Sequence, residues 1–190
     1  MPSYQAIFQR YEKKYLLPAN QYHALRPVLE THMQPDLYGR TTVCSIYFDT
    51  PDHRVIRRSL EKPVYKEKLR LRSYGVPEAS DRVFIELKIK YRGIVYKRRT
   101  DMPLSEAVAY PCQGDIPRNP NQITHEIDRF LRFYPGIGPA MYLSCDRTAF
   151  TGRENRDLRV TFDSRILCGR TMFLFHAAPT AGCCCLPTTG

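Results

Sequence analysis

Three consecutive segments, about residues 64–74, 82–91 and 93–101, alternate in side-chain character with a period of two. The connections between them carry the turn signals Gly75-Val76-Pro77 and Arg92-Gly93. Strict alternation marks a strand with two unlike faces, and connections this short force neighbouring strands to run antiparallel. The centre of the chain is therefore predicted to be an antiparallel meander. On 66–74, Lys66, Lys68, Arg70 and Arg72 share one face, and Leu69 and Leu71 share the other. On 83–91, Glu86, Lys88 and Lys90 oppose Val83, Ile85, Leu87 and Ile89; on 95–99, Val95, Lys97 and Arg99 share a face. Arg10, Glu12 and Lys14 repeat the pattern near the N-terminus. Near the C-terminus, Arg159, Thr161 and Asp163 repeat it against Val160 and Phe162.

Charge follows the same map. Residues 54–99 hold 15 of the chain's 29 Lys and Arg but only five of its 19 Asp and Glu, so this segment carries the whole net charge of +10. Like charges stacked along and across a ladder repel, and a sheet needing only solubility would intersperse acids and hydroxyls. A local field of this kind points to an anionic partner: nucleic acid, anionic lipid or a phosphate-rich molecule. If the basic faces turn inward in a closed barrel, they line a tunnel, with the apolar faces packed outward under helices. If they do not, they form an open basic surface.

The rest of the chain fits one antiparallel α+β domain, a β-barrel or tunnel with a few packing helices. Residues 19–33 are predicted to be helical, with Asn20 a candidate cap and Pro27 working against the assignment. Residues 42–49 form a strand stopped by Thr50-Pro51-Asp52, and 53–60 a helical or irregular link. One helical turn is expected at 103–109, and a Pro/Gly/Asn loop from Pro111 to Pro120. Residues 121–134 carry the clearest amphipathic stripe, Ile123, Ile127, Phe130, Leu131 and Tyr134. Strands follow at 140–150 and 157–163. Residues 1–170 are read as the domain, and the uncharged 171–190 as a tail.

Other classes are disfavoured. No apolar run approaches the ~20 residues of a membrane-spanning helix, and the N-terminus lacks a basic-then-apolar signal sequence. A cytoplasmic location is the expectation. Seven Cys show neither CxxC pairs nor Cys/His spacing, which argues against zinc, and their odd number without a signal sequence argues against a disulfide framework. The five His have no useful spacing.

Several pieces in order resemble the VTC domain, the polyphosphate polymerase domain within the CYTH-like triphosphate tunnel metalloenzymes. They are Arg10-x-Glu12-x-Lys14-Tyr15, Ser45-Ile46-Tyr47-Phe48-Asp49-Thr50 and Lys68-x-Arg70-x-Arg72-Ser73-Tyr74. Glu86-Leu87-Lys88, Lys97-Arg98-Arg99, Asp146-Arg147-Thr148-Ala149-Phe150 and Arg159-Val160-Thr161-Phe162-Asp163 continue the series. The resemblance implies an antiparallel tunnel in which the γ-phosphoryl group of ATP passes to a polyphosphate chain with help from Mn²⁺ or Mg²⁺. By motif, Lys14, Arg70, Arg72, Lys88, Lys97 and Arg147 would bind phosphate; strand phase adds Lys68, Arg99 and Arg159. Tyr47 and Tyr74 are either base-stacking or core aromatics. Glu12 and Glu86 are the carboxylates within reach of a metal, or else internal counter-ions of the cations around them.

Two departures stand out. Cys145 occupies a position where the family usually carries Tyr, and the family's metal-binding Glu belongs to a later strand that this chain does not reach, so a C-terminal truncation with an open tunnel edge is expected. Phosphoryl transfer is mostly positioning and charge neutralisation, which suits Arg and Lys. A triphosphatase of the same fold and a non-catalytic polyphosphate or nucleotide-binding module are the alternatives. Specific nucleic-acid binding fits less well, because no Gly-aromatic stacking motif appears. The family also admits membrane-associated protein partners.

Overall fold

A computed structural model describes residues 6–170; the expected tail at 171–190 lies outside the described residues. In chain order the elements are β1 (Ile7–Arg10), α1 (Ala19–His32), β2 (Met33–Asp49), α2 (Arg54–Leu60) and β3 (Tyr65–Tyr74). Then come β4 (Arg82–Tyr91), β5 (Ile94–Pro103), α3 (Leu104–Gln113), α4 (Gln122–Phe133), β6 (Gly138–Gly152) and β7 (Arg159–Arg170). The strands form one sheet in the order β1-β5-β4-β3-β2-β6-β7, every neighbouring pair antiparallel.

The expected meander is β3-β4-β5. Its tight turn uses Arg92 and Gly93, both with positive φ (47° and 85°), the combination a two-residue hairpin needs to match strand twist. The α+β antiparallel class holds, but the sheet is open: β1 and β7 are its edges among the described residues, and no ladder closes it into a barrel.

Each strand of the meander is buried on both faces. On one face Leu69, Leu71, Val83, Ile85 and Leu87 are fully buried with Phe48, Val55, Ala107, Tyr110, Ile127 and Phe130, under α2, α3 and α4. Burying an aliphatic or Phe side chain contributes roughly 1.5–3 kcal/mol, so this layer is the main source of stability. α4 is oriented by its start: Asn121 Oδ1 accepts from the N–H groups of Ile123 and Thr124, and the Thr124 hydroxyl accepts from the Asn121 N–H. The opposite face carries no helix, yet Arg70, Arg72, Glu86 and Arg99 are buried there too. The charge of Lys14, just after edge strand β1, acts on Asp163 of the opposite edge strand β7, so the open sheet curls about this face into a trough.

Element ends depart from expectation for local reasons. β2 begins at Met33, not near 42, because its first half pairs with Phe150–Gly152 before a bulge between Pro35 and Arg40 interrupts the ladder. α1 starts at Ala19 after an extended Pro18, so Asn20 lies inside the helix rather than capping it, and Pro27 is accommodated within. α3 runs through Pro111 to Gln113, where one turn was expected, and stops at Gly114 with φ 75°. β1 ends at Arg10, so Arg10, Glu12 and Lys14 do not alternate along one strand.

Candidate functional site

Cross-strand register assembles the trough. Lys68, Lys88 and Lys97 stand opposite one another across β3, β4 and β5, and one step along the same face are Arg70, Glu86 and Arg99. Arg70 lies opposite Tyr47 and Arg72 opposite Ser45 on β2. β6 adds Cys145 and Arg147, opposite Val43 and Thr41 of β2.

Glu86 is the hub. Its side chain is fully buried, and four cations reach it: Arg70 Nε at 2.6 Å, Lys97 Nζ at 3.5 Å, and Arg72 Nε and Arg99 Nη1 each at 3.9 Å. Burial alone would raise its pKa, but Arg70, Lys97 and Arg72 hold it down to about 2. One carboxylate thus anchors four cations and cannot neutralise them. The excess shows in Lys97, whose pKa burial pushes down to about 7; Glu86 opposes that shift, and Arg99, Arg70 and Arg72 add to it. Arg72 is shifted downward as well, by burial and by the neighbouring Arg70. Its Nε is a buried donor without a hydrogen-bond acceptor, and Glu86 Oε1 is a buried acceptor without a donor. An orphan guanidinium donor in a cationic trough fits a site shaped for an anion.

The other predicted phosphate ligands divide into two groups. Lys68 and Lys88 join the cluster, and burial lowers both of their pKa values. Arg147 belongs to the same face but makes a bidentate pair with Asp163, at 2.6 and 2.7 Å. Lys14 lies in the segment after β1, exposed, and its charge acts on Glu12, Lys68, Lys88 and Asp163. Arg159 is not brought into the cluster, because its guanidinium pairs with Asp36 at 2.8 Å.

Neither predicted metal-binding carboxylate stands alone. Four cationic side chains within 4 Å make the surroundings of Glu86 unfit for a dication. Glu12 fits better: it is half-buried, accepts one hydrogen bond from Lys88 at 2.7 Å, and has Arg10 at 3.8 Å. No group of three His, Cys, Asp or Glu converges among the described residues.

Some participants escaped sequence reasoning. The Arg70 Nη1 donates to the Tyr47 hydroxyl at 3.2 Å, which makes Tyr47 a support for Arg70 in place of a core aromatic. Phe84 lies under the Arg99 guanidinium, 4.4 Å from ring centroid to Cζ. Its strand phase, shared with Glu86 and Lys88, was the available signal. Tyr74 is exposed and edge-on to Phe84 at 6.2 Å.

A family model, the VTC domain, matches residues 9–184. The chain belongs to the VTC domain family. Among solved structures, this VTC domain is similar to a candidate adenylate cyclase from Bacillus halodurans, at 14% identity and a TM-score of 0.48, covering 86% of this chain and 70% of that one. It is also similar to a candidate adenylyl cyclase from Hippeastrum with a dominant triphosphatase activity, at 14% identity and a TM-score of 0.44, covering 82% and 69%. No curated protein matches the chain. No helix among the described residues is long and apolar enough to cross a membrane.

Proposed function

We propose that this VTC domain is a phosphotransferase that moves the γ-phosphoryl group of ATP onto a polyphosphate chain held along the trough. The observation that carries the reading is the cluster of Arg70, Arg72, Lys97 and Arg99 around the single carboxylate of Glu86, with the Arg72 Nε left without an acceptor. Guanidinium forks bind phosphate oxygens bidentately, ammonium groups add point charge, and buried cations of this kind are worth more than exposed ones.

In the reaction, a terminal oxygen of the chain attacks the γ-phosphorus, the bond to the β-phosphate oxygen breaks, and ADP leaves with that oxygen. The transferred group carries its charge on three oxygens, so the chain's own residues act by positioning and neutralising. Arg70 and Arg72, held by Glu86, Tyr47 and Ser45, would fix the phosphates in register. Lys88, Lys97 and Arg99 would neutralise the charge alongside them. Glu12 would hold a Mn²⁺ or Mg²⁺ arriving on the nucleotide, an ion that supplies further neutralisation. No protein nucleophile is required.

Incubation with ATP and Mn²⁺, followed by gel analysis of acid-labile polymer, tests the proposal. Polymer longer than triphosphate, lost in Arg72→Met, is the expected result. Phosphate release without polymer would replace it with the triphosphatase reading. Ligand-dependent stabilisation without turnover would leave a binding module.

A further inference from the structure

The trough accounts for only part of the positive charge between residues 54 and 99. At the end of the sheet where β3 begins and β4 turns into β5, basic side chains continue beyond it, Lys66 and Lys90 on the trough's own face. Leu60 closes α2, Lys62 and Val64 lead into β3, and Lys90, Tyr91 and Arg92 form the tip of the hairpin. Main-chain and side-chain contacts hold these pieces together at one end of the sheet, with Lys90 and Tyr91 on its opposite faces. The Arg92 N–H donates to the Val64 carbonyl at 3.1 Å. The Lys66 ammonium donates to the Ser59 carbonyl of α2 at 3.2 Å. Tyr65 pairs with Tyr91 and Lys66 with Lys90 across the ladder. The Arg92 guanidinium lies over the Tyr91 ring at 5.3 Å.

Two properties of this surface coincide. Leu60, Val64 and Tyr91 are 71%, 65% and 41% exposed, which is costly for apolar groups that soluble surfaces usually scatter singly. Between them, Lys62, Lys90 and Arg92 are exposed and make no ion pair among the described residues, against the one exposed carboxylate of Glu61. Exposed apolar side chains interleaved with cations match the boundary of an anionic bilayer, where acyl chains take the first and acidic headgroups the second. A soluble polyanion would reward the cations and gain nothing from Leu60 and Val64.

We propose that this end of the sheet docks on an anionic membrane surface, with Leu60, Val64 and Tyr91 entering the headgroup layer and Lys62, Lys90 and Arg92 meeting the lipid phosphates and carboxylates. The proposal is independent of the chemistry assigned to the trough.

The test is co-sedimentation of the full chain with vesicles of phosphatidylcholine alone and with vesicles carrying about a third phosphatidylserine. Pelleting with the anionic vesicles only, weakened by salt, is expected. Lys62→Glu with Arg92→Glu should lower partitioning roughly 30-fold, and Leu60→Ser with Val64→Ser roughly tenfold. All four positions are exposed, so unchanged melting midpoints should accompany these losses. Arg72→Met, in the trough, should leave vesicle binding intact. Equal pelleting with both vesicles, or none with either, overturns the proposal. So does full binding by the Leu60→Ser, Val64→Ser variant, which would assign the patch to a soluble polyanion or an acidic protein. Vesicle binding lost in Arg72→Met would overturn it too, by placing the lipid contact in the trough.

Discussion

The two faces of strand β3 are both withdrawn from water, and for opposite reasons. On one, Leu69 and Leu71 are covered by three helices, and among the described residues no buried side-chain N or O atom there lacks a partner. On the other, Arg70 and Arg72 are buried in a curled, helix-free trough with one carboxylate between them and two further cations. The first face supplies stability. The second consumes some of it, because buried cations in excess of their counter-ions are unfavourable until an anion arrives. Groups perturbed this strongly cluster at functional sites, although structural ion-pair networks perturb them as well.

Substitutions on the two faces should therefore behave differently. The largest effects are expected at the two anchors. Leu71→Ala should cost about 2–5 kcal/mol in denaturant unfolding, with tripolyphosphate binding to the folded fraction unchanged. Glu86→Gln should cost about 3–5 kcal/mol, because it strands Arg70, Arg72, Lys97 and Arg99 without a counter-charge. Added tripolyphosphate should stabilise Glu86→Gln by more than it stabilises the wild type, whereas Leu71→Ala should gain only the wild-type increment. Equal rescue of both variants would erase the distinction between the faces.

The next effect is a pH dependence. Lys97 titrates near 7 in the folded chain, well below the ordinary 10.5. Between those values the unfolded chain holds a proton that the folded chain has released, so stability rises with pH through that window. Affinity for an anion moves the other way. Below about 7 Lys97 is already charged; above it, binding must take up a proton and should weaken by about tenfold per pH unit. Calorimetry in buffers of different ionisation enthalpy reads that proton directly. Lys97→Met should flatten both profiles, and an unaltered proton uptake would move the linkage to another group. The smallest effect belongs to the helix-covered face: Asn121→Ala, which removes the α4 cap, should cost about 1 kcal/mol in thermal unfolding and leave ligand affinity untouched.

The meander, its turns and the two phases of its strands were legible because period-two alternation is a local signal, and Arg70, Arg72, Lys88, Lys97 and Arg99 follow from phase alone. Three things were not legible, each for a non-local reason. The first half of β2 exists because β6 pairs with it across a bulge, and its own residues, with Pro35 and Gly39, carried no assignment before the 42–49 strand. Arg159 has the right phase, but Asp36, 123 positions away, claims its guanidinium. Glu86 was open to a metal as well as to internal salt bridges until register placed Arg70 on one side of it and Arg99 on the other.

The central claim is that the Arg70–Arg72 face is a phosphate-binding trough whose charge awaits an anion. The most direct measurement is the melting midpoint of the wild type and Arg72→Met, each with and without tripolyphosphate. Without ligand, Arg72→Met should melt no lower than the wild type, since it removes a buried and incompletely paired charge. With ligand, the wild type should gain stability by mass action and the variant should gain little. An equal gain in both proteins would contradict the account.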